Sequence, residues 1–398
     1  MSEHKNHRDI GRELDLFSFH EVAPGTVFWH GKGMIIWREL EKYLREKLDS
    51  LGYQEVSTPV MVKKELFEKS GHWQHYRENM FTLDVDGQTY ILKPMNCPES
   101  TLIYSSRTRS YRDLPLRLSE ITDRIHRKEL SGVVGGLLRV IQMTQDDAHH
   151  YVRPDQIEQE VADLMELIKE FYSHFNMPMS FNLATKPENS MGDSKVWTEA
   201  EKDLESALKK AKVRYQIKER DGAFYGPKID INVTDSQKRE WTVATIQLDF
   251  QMPEKFELEY VAEDGSKKRP VMIHRAIAGS FERFIGIITE HFQGAFPLWL
   301  APVQAVLIPV SEKQQEYTEK VLGQLKENWI RTEIYESGET LPKRIREAEL
   351  QKIPYILVVG EKEEKNDSVN ARHKGKESEI KVEGLIEKIK KEIKEKII

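Results

Sequence analysis

Two stretches of this sequence hold the side chains best suited to grip a metal ion. "MTQDDAHHYV", residues 143–152, sets Asp146 and Asp147 ahead of His149 and His150, and "KPMNCPES" carries Cys97, the one cysteine of the chain. Thiolate and imidazole are zinc ligands, and three protein ligands with an open fourth position make a catalytic rather than a structural site. Cys97 and His149 stand 52 residues apart, which matches no ligand-spacing motif. A free cysteine also serves as a small buried hydrophobe, and a histidine as a hydrogen-bonded core group, so residue types alone leave both readings open. On a strand His149 and His150 face opposite sides, so a single site takes only one of them. The stretch itself does not choose.

The elements that must position these groups show in the periodicity. After "FWHGKG", Trp37, Leu40, Leu44, Leu48 and Leu51 recur at helical steps and Gly52 follows as a stop. "EVSTPVMV" reads as a strand with Pro59 at an edge or bend, and "QTYILKP" as another. Pro154 opens a second amphipathic helix over 154–175, carrying Ile157, Val161, Leu164, Ile168 and Phe171. "DGAFYGPKIDINV" and "REWTVATIQLDF" are spaced as neighbouring antiparallel strands, and "AIAGSFERFIGIITEHF" reads as a helix. Beyond "FPLWLAPVQ", the strands "VQAVLIPV", "RTEIYE" and "YILVVG" alternate with helical stretches at 311–327 and 340–351, the pattern of an α/β unit with a largely parallel sheet. The expected architecture is an α+β domain over 1–301 followed by an α/β domain over 302–398.

A chain of 398 residues is long enough for two domains. Hydrophobic residues at 39% and charged residues at 32% suit a soluble globular protein. A lone cysteine forms no internal disulfide, which fits a reducing, cytoplasmic setting. "MSEHKNHRDIGRELD" has no apolar core of the kind a signal peptide needs, and no apolar run approaches the roughly 18 residues of a membrane span. The net charge is −6, and from Ala301 onward basic and acidic residues balance at 19 each. Composition alone does not point to RNA, so any nucleic-acid contact must come from local patches.

Longer motifs are more specific. "SGHWQHYRENMF", "LKPMNCP", "SYRDLPLRLSE", "TQDDAH", "GAFYGPKIDI", "QLDF" and "VMIHRAIAGSFERFIG" occur in the order found in threonyl-tRNA synthetases, with "LDLFSFHEVAPGTVFWHGKG" and "LAPVQAVLIPV" extending the match at both ends. The chain thus resembles that family from near residue 7 to its end. The resemblance implies a class II catalytic domain, an antiparallel sheet flanked by helices, joined to a C-terminal α/β anticodon-binding domain. It implies one zinc ion per subunit on Cys97, His149 and His274, which selects His149 over His150. It also implies a homodimer built around the region near Pro59, and ATP with Mg²⁺, L-threonine and tRNA(Thr) as partners.

The same resemblance assigns roles. Threonine and valine are near-isosteres that a hydrophobic pocket separates poorly; an open zinc position can take the amine and hydroxyl of threonine together. Asp147 matches the residue that hydrogen-bonds that hydroxyl, the alternative being a role in orienting the neighbouring ligand. Gln145, Tyr225 and Gln247 match the lining of the amino-acid pocket. For the adenylation of a carboxylate by ATP, where two anionic groups must meet, positioned cations supply most of the help. Arg127 matches the arginine bridging carboxylate and α-phosphate, Glu129 the carboxylate near the adenine amine, Arg139 the contact to the γ-phosphate, Arg283 the adenine-stacking arginine, and Lys228 a phosphate contact. Glu363 and Arg372 match positions that read anticodon bases, while local basicity marks Lys343 and Arg344 as RNA-backbone contacts.

Several positions depart from the family pattern. Glu99 and Ser100 stand in "MNCPES" where the family has "MNCPGH". Ile141 replaces an arginine and Met143 an adenine-stacking aromatic, which forfeits about 1 kcal/mol of stacking. Val243, Ala244 and Thr245 stand where the family has Cys-Gly-Thr. The sequence begins at the catalytic region, so the family's editing region is expected to be absent and serine to be mischarged. Two other classes stand beside this reading: a non-catalytic RNA-binding or regulatory paralogue, or one of altered amino-acid specificity, favoured by the changes at Ile141 and Met143, and a zinc hydrolase, for which the sequence has no H-E-x-x-H motif.

Overall fold

The computed structural model describes residues 4–121, 124–128 and 135–398. The chain forms two compact units. One gathers Ile288–Ile398 with Phe28–Lys42 and the residues up to Ser18; the other holds Phe19–Val27 and Tyr43–Ile287. Among the described residues no helix is long and apolar enough to cross a membrane.

The larger unit is organised by one nine-stranded sheet. Its order runs Tyr215–Lys218, Met179–Ala184, Lys228–Thr234, Glu240–Asp249, Val271–Ser280, Gln142–Val152, Leu116–Glu120 and Gln54–Glu55, with Arg124–His126 pairing separately to Gln142–Val152. Every middle pairing is antiparallel; only the outermost pair at each end is parallel. Most residues of Val271–Ser280 and Gln142–Val152 are buried on both faces. Polar side chains in these strands therefore need partners inside the protein. One face is covered by the helix Ile157–Ser173, whose buried Val161, Leu164, Ile168 and Phe171 recur at helical steps. Phe171 and Tyr172 pack on Phe284, and the Tyr172 hydroxyl donates to the Ile277 carbonyl at 2.7 Å, tying helix to sheet.

The helix expected after "FWHGKG" spans Gly31–Ser50, with Leu40, Leu44 and Leu48 buried, but Leu51 lies beyond its end and is 40% exposed. "EVSTPVMV" is not one strand: Gln54–Glu55 joins the large sheet and Met61–Lys63 joins a separate three-stranded one, the break flanking Pro59, which cannot donate to a ladder. The helix expected over "AIAGSFERFIGIITEHF" begins later, at Phe281. Ala276–Ser280 continue the strand instead, because their pairing with Gln142–Val152 outweighs local helix preference; the register shifts between Ala276 and Ser280, where Gly279 adopts φ 66°. A Cβ there would also stand 2.7 Å from the Val243 carbonyl oxygen.

In the smaller unit Thr332–Ile334, Ala305–Pro309 and Tyr355–Val359 form three parallel strands, as the alternating pattern suggests. Ser368–His373 and Lys376–Lys381 add an antiparallel hairpin that periodicity did not reveal, turning at Lys374 and Gly375, both with positive φ. Alternate residues of Ala305–Pro309 feed two cores: Ala305 and Leu307 pack with Val321, Leu325, Leu385 and Ile389, while Val306 and Ile308 pack with Ala348 and Ile353. Burial on both faces explains why that strand reads as a continuous apolar run.

Candidate active site

Strand register assembles the site. Gln247 pairs with His274, and His274 with His149, so three side chains lie side by side across adjacent strands on one face. Lys228 pairs with Gln247 and extends the row. The two-residue period of a strand then puts Asp147, Gln145 and Met143 on that same face as His149, one step apart. Cys97 reaches the row from the first turn of the helix Cys97–Ser105. The ligand atoms of Cys97, His149 and His274 all lie within 4.8 Å of one another, and all three residues are buried.

That set fits a single metal ion. Atoms at about 2.0–2.3 Å from one tetrahedral zinc stand about 3.3–3.8 Å apart, a closure within reach of small side-chain rotations. His274 Nε2 donates to Asp249 Oδ2 at 2.9 Å, which leaves Nδ1 as the free lone pair and fixes the ring. Burial pushes the Cys97 thiol well up and the His149 imidazolium well down, so no cation is built into the cluster by the histidine itself. His150 faces the other side of the sheet and bonds Glu160 there.

Around the cluster, Asn96 Nδ2 donates to Asp147 Oδ2 at 3.0 Å, and burial raises the Asp147 carboxyl. The Tyr225 hydroxyl donates to Gln247 Oε1, and its ring stands 5.2 Å from that of His274. Tyr225 can lie so close because Gly226 follows it: a Cβ at Gly226 would sit 1.7 Å from the Leu248 carbonyl oxygen. Three residues near the cluster were missed at the level of sequence. Asp249 and Asn96 lie inside "QLDF" and "KPMNCP", and His72, in "SGHWQHY", brings Nε2 to 3.9 Å from Cys97 Sγ, with burial lowering it to about 4.

A cavity of ≈520 Å³ adjoins Gln145 and is lined also by Arg127, Arg139, Met143, Val243 and Arg283. Two guanidinium groups here have neighbours that bear on their aim. Arg127 Nη2 lies 3.1 Å from Met143 Sδ, and Arg283 Cζ lies 5.8 Å from the Trp241 ring. Lys228 does not line this cavity; its ammonium pairs with Asp230 Oδ2 at 2.7 Å. Glu129 lies outside the described residues. Glu99 is 4% exposed, neither of its carboxylate oxygens has a protein partner, and burial raises it to about 8, while Ser100 bonds the Tyr151 hydroxyl at 3.0 Å.

In the smaller unit Arg372 lines a ≈510 Å³ cavity beside His373, Lys374 and Lys376 and pairs with Glu377 at 3.2 Å. Glu363 does not line it; its carboxylate accepts from the Gly360 amide at 3.0 Å. Arg344, expected to meet RNA, is buried and donates to the carbonyls of Pro309, Tyr335 and Glu339, so it is a structural brace. Lys343 is exposed and pairs with Glu339 at 2.7 Å.

Comparison with known proteins agrees with this arrangement. A family model for the tRNA synthetase class II core domain (G, H, P, S and T) matches residues 81–292, and one for an anticodon binding domain matches 304–392. The threonine–tRNA ligase of Caldanaerobacter subterraneus subsp. tengcongensis is 52% identical over 396 residues, 99% of this chain and 61% of the relative. That of Carboxydothermus hydrogenoformans is 51% identical over 371 residues, 93% of this chain and 58% of the relative. The chain therefore spans less than two thirds of the length of these curated relatives. A crystal structure of the RNA binding domain of threonyl-tRNA synthetase from Cryptosporidium parvum Iowa II superimposes with a TM-score of 0.94 at 38% identity, covering 97% of this chain and 98% of that one. The chain belongs to the threonyl-tRNA synthetase family of class II aminoacyl-tRNA synthetases.

Proposed function

We propose that this chain activates L-threonine with ATP and transfers it to tRNA(Thr). The observation that carries the reading is the cluster of Cys97, His149 and His274 on the sheet face that also bears Asp147 and Gln145, next to a cavity lined by Arg127 and Arg283. Bound zinc would supply an open coordination position for an amine and a neighbouring hydroxyl. Asp147, held by Asn96, accepts the hydrogen bond of the threonine hydroxyl. Gln145, Tyr225 and Gln247 shape the amino-acid pocket. Arg127 bridges the carboxylate and the α-phosphate, Arg283 stacks on adenine, Arg139 meets the γ-phosphate, Lys228 touches phosphate, and Met143 packs on the base, with Glu129 near the adenine amine and Mg²⁺ accompanying ATP. These cations offset the repulsion between the two anionic reactants.

Catalysis belongs to residues 1–301 and anticodon reading to 302–398, through Glu363 and Arg372. The family match over 304–392 and the cationic lining beside Arg372 support that division. The protein works as a homodimer in the cytoplasm, the latter in keeping with its single cysteine. Threonine-dependent exchange of pyrophosphate into ATP tests the reading. Exchange that requires threonine and is lost with zinc upholds it; an absence of exchange from zinc-loaded protein that binds tRNA refutes it and favours a non-catalytic paralogue.

A further inference from the structure

The strand Glu240–Asp249 ends on a carboxylate that faces a metal ligand rather than the cavity. Asp249 shares a face with Gln247 by the two-residue period of a strand, and Gln247 pairs with His274, so Asp249 is the diagonal neighbour of His274. It is 0% exposed. Its Oδ1 accepts from the amides of Gln251 and Met252 at 2.7 and 2.9 Å, the first two of the helix Gln251–Lys255. Backbone amides only donate, so these two bonds hold Oδ1 as an acceptor and set the plane of the carboxylate. Oδ2 is thereby aimed at His274 Nε2, 2.9 Å away.

A metal-binding imidazole is neutral, with one N–H and one lone pair, and the partner of one nitrogen decides which is which. An acceptor at Nε2 puts the proton there and leaves the lone pair on Nδ1. Asp249 makes that choice for His274 before any ion arrives. Asp147 does not do the same for His149, since its Oδ2 stands 3.8 Å from His149 Nε2, beyond hydrogen-bond reach. An amide in place of the Asp249 carboxylate would reverse the choice. In Asp249→Asn the carbonyl oxygen stays on the two backbone amides, so the side-chain NH2 takes the position of Oδ2 and points its hydrogens at Nε2. The ring then keeps its lone pair on Nε2 and its proton on Nδ1, the atom a metal needs bare.

We propose that Asp249 is the positioning residue that keeps the His274 proton on Nε2, and so determines how tightly the cluster of Cys97, His149 and His274 holds its ion. The affinity half of this inference rests on the reading of that cluster as a zinc site; the place of the proton does not. Losing such a partner weakens a metal site by about 10- to 100-fold. Here the loss has a specific origin: to free Nδ1 in Asp249→Asn, the ring must give up its new hydrogen bond and set N–H against N–H.

The test takes the full chain with ¹⁵N-labelled histidine, free of metal, at about pH 8, where an imidazole is neutral. Long-range ¹H–¹⁵N correlation spectra report which nitrogen of each ring carries the proton, and the His274 signals are those lost in His274→Gln. Wild type is expected to carry this proton on Nε2, and Asp249→Asn to carry it on Nδ1, a signature that a merely loosened fold would not give. The same two proteins are then titrated with zinc against a chelating dye. Wild type should take one ion per chain, and Asp249→Asn should bind it about 10- to 100-fold more weakly. A proton on Nδ1 in wild type, an unchanged tautomer in the variant, or equal zinc affinities would overturn the proposal, and the wild-type spectrum decides if Asp249→Asn does not fold. A wild type that takes up no zinc would instead sink the reading of the cluster as a metal site, while the spectra still settle where the proton lies.

Discussion

Asp146 and Asp147 are neighbours in "TQDDAH", yet strand geometry assigns them to opposite faces, and the two should fail in different ways. Asp146 and Arg275 form an ion pair with both side chains 0% exposed. The other Asp146 oxygen accepts from the amides of Ile277 and Ala278 at 2.8 and 2.9 Å. All three neighbours are donors, so an asparagine at this position must turn its own amide N–H toward one of them. Asp146→Asn therefore removes the counter-charge of a fully buried guanidinium and leaves a donor facing a donor. Breaking a buried pair from one side costs about 3–5 kcal/mol, a large part of the roughly 5–15 kcal/mol that holds a typical domain. Adding Arg275→Met, which removes the stranded charge and keeps volume, should recover most of that loss. Asp147 takes one hydrogen bond, from Asn96, so Asp147→Asn should alter stability by no more than about 1 kcal/mol. It should instead lower threonine-dependent exchange by roughly ten- to a hundredfold, the worth of a charged hydrogen bond to substrate. Urea unfolding followed by tryptophan fluorescence, with exchange kinetics on the same samples, separates the two. A loss below about 1 kcal/mol in Asp146→Asn, or no recovery on adding Arg275→Met, would show that the pair is not a buried, mutually dependent unit.

Further expectations concern single side chains. Burial raises Glu282 to about 7, although it accepts from Ser280 and the Thr144 amide, so its contribution to stability is full below the unfolded carboxyl value of about 4.3 and is lost as pH climbs through 7. Urea midpoints of Glu282→Gln should accordingly fall less than those of wild type between pH 5 and 8, and parallel curves would rule this out. His149→Ala should leave the purified protein without stoichiometric zinc whereas His150→Ala keeps it; equal metal contents by mass spectrometry would contradict the assigned faces. Arg372→Ala should raise the KM for tRNA several-fold in aminoacylation and leave pyrophosphate exchange unchanged, a split that a folding defect would not produce. Met143→Phe restores an aromatic face to the cavity and should lower the KM for ATP about fivefold, the value of roughly 1 kcal/mol of stacking; an unchanged KM means the base does not rest there.

Local pattern in the sequence went a long way. Helical periodicity located Gly31–Ser50 and Ile157–Ser173, the alternation beyond Pro302 announced the parallel strands, and the two-residue period separated His149 from His150. Family motifs brought Cys97, His149 and His274 together as a set, which spacing alone could not do. What tertiary structure alone decided was which side chains touch. Whether Ala276–Ser280 continue a strand or start a helix, whether Arg344 meets solvent or three carbonyls, and that His274 leans on Asp249 all depend on partners distant in the chain. Register is a matter of hydrogen bonds between strands, and a slip of one residue would turn His274 and its strand neighbours to the other face. Nothing in the local order of residues records that choice, which is why the face bearing His149 and His274 is defined only once the strands are paired.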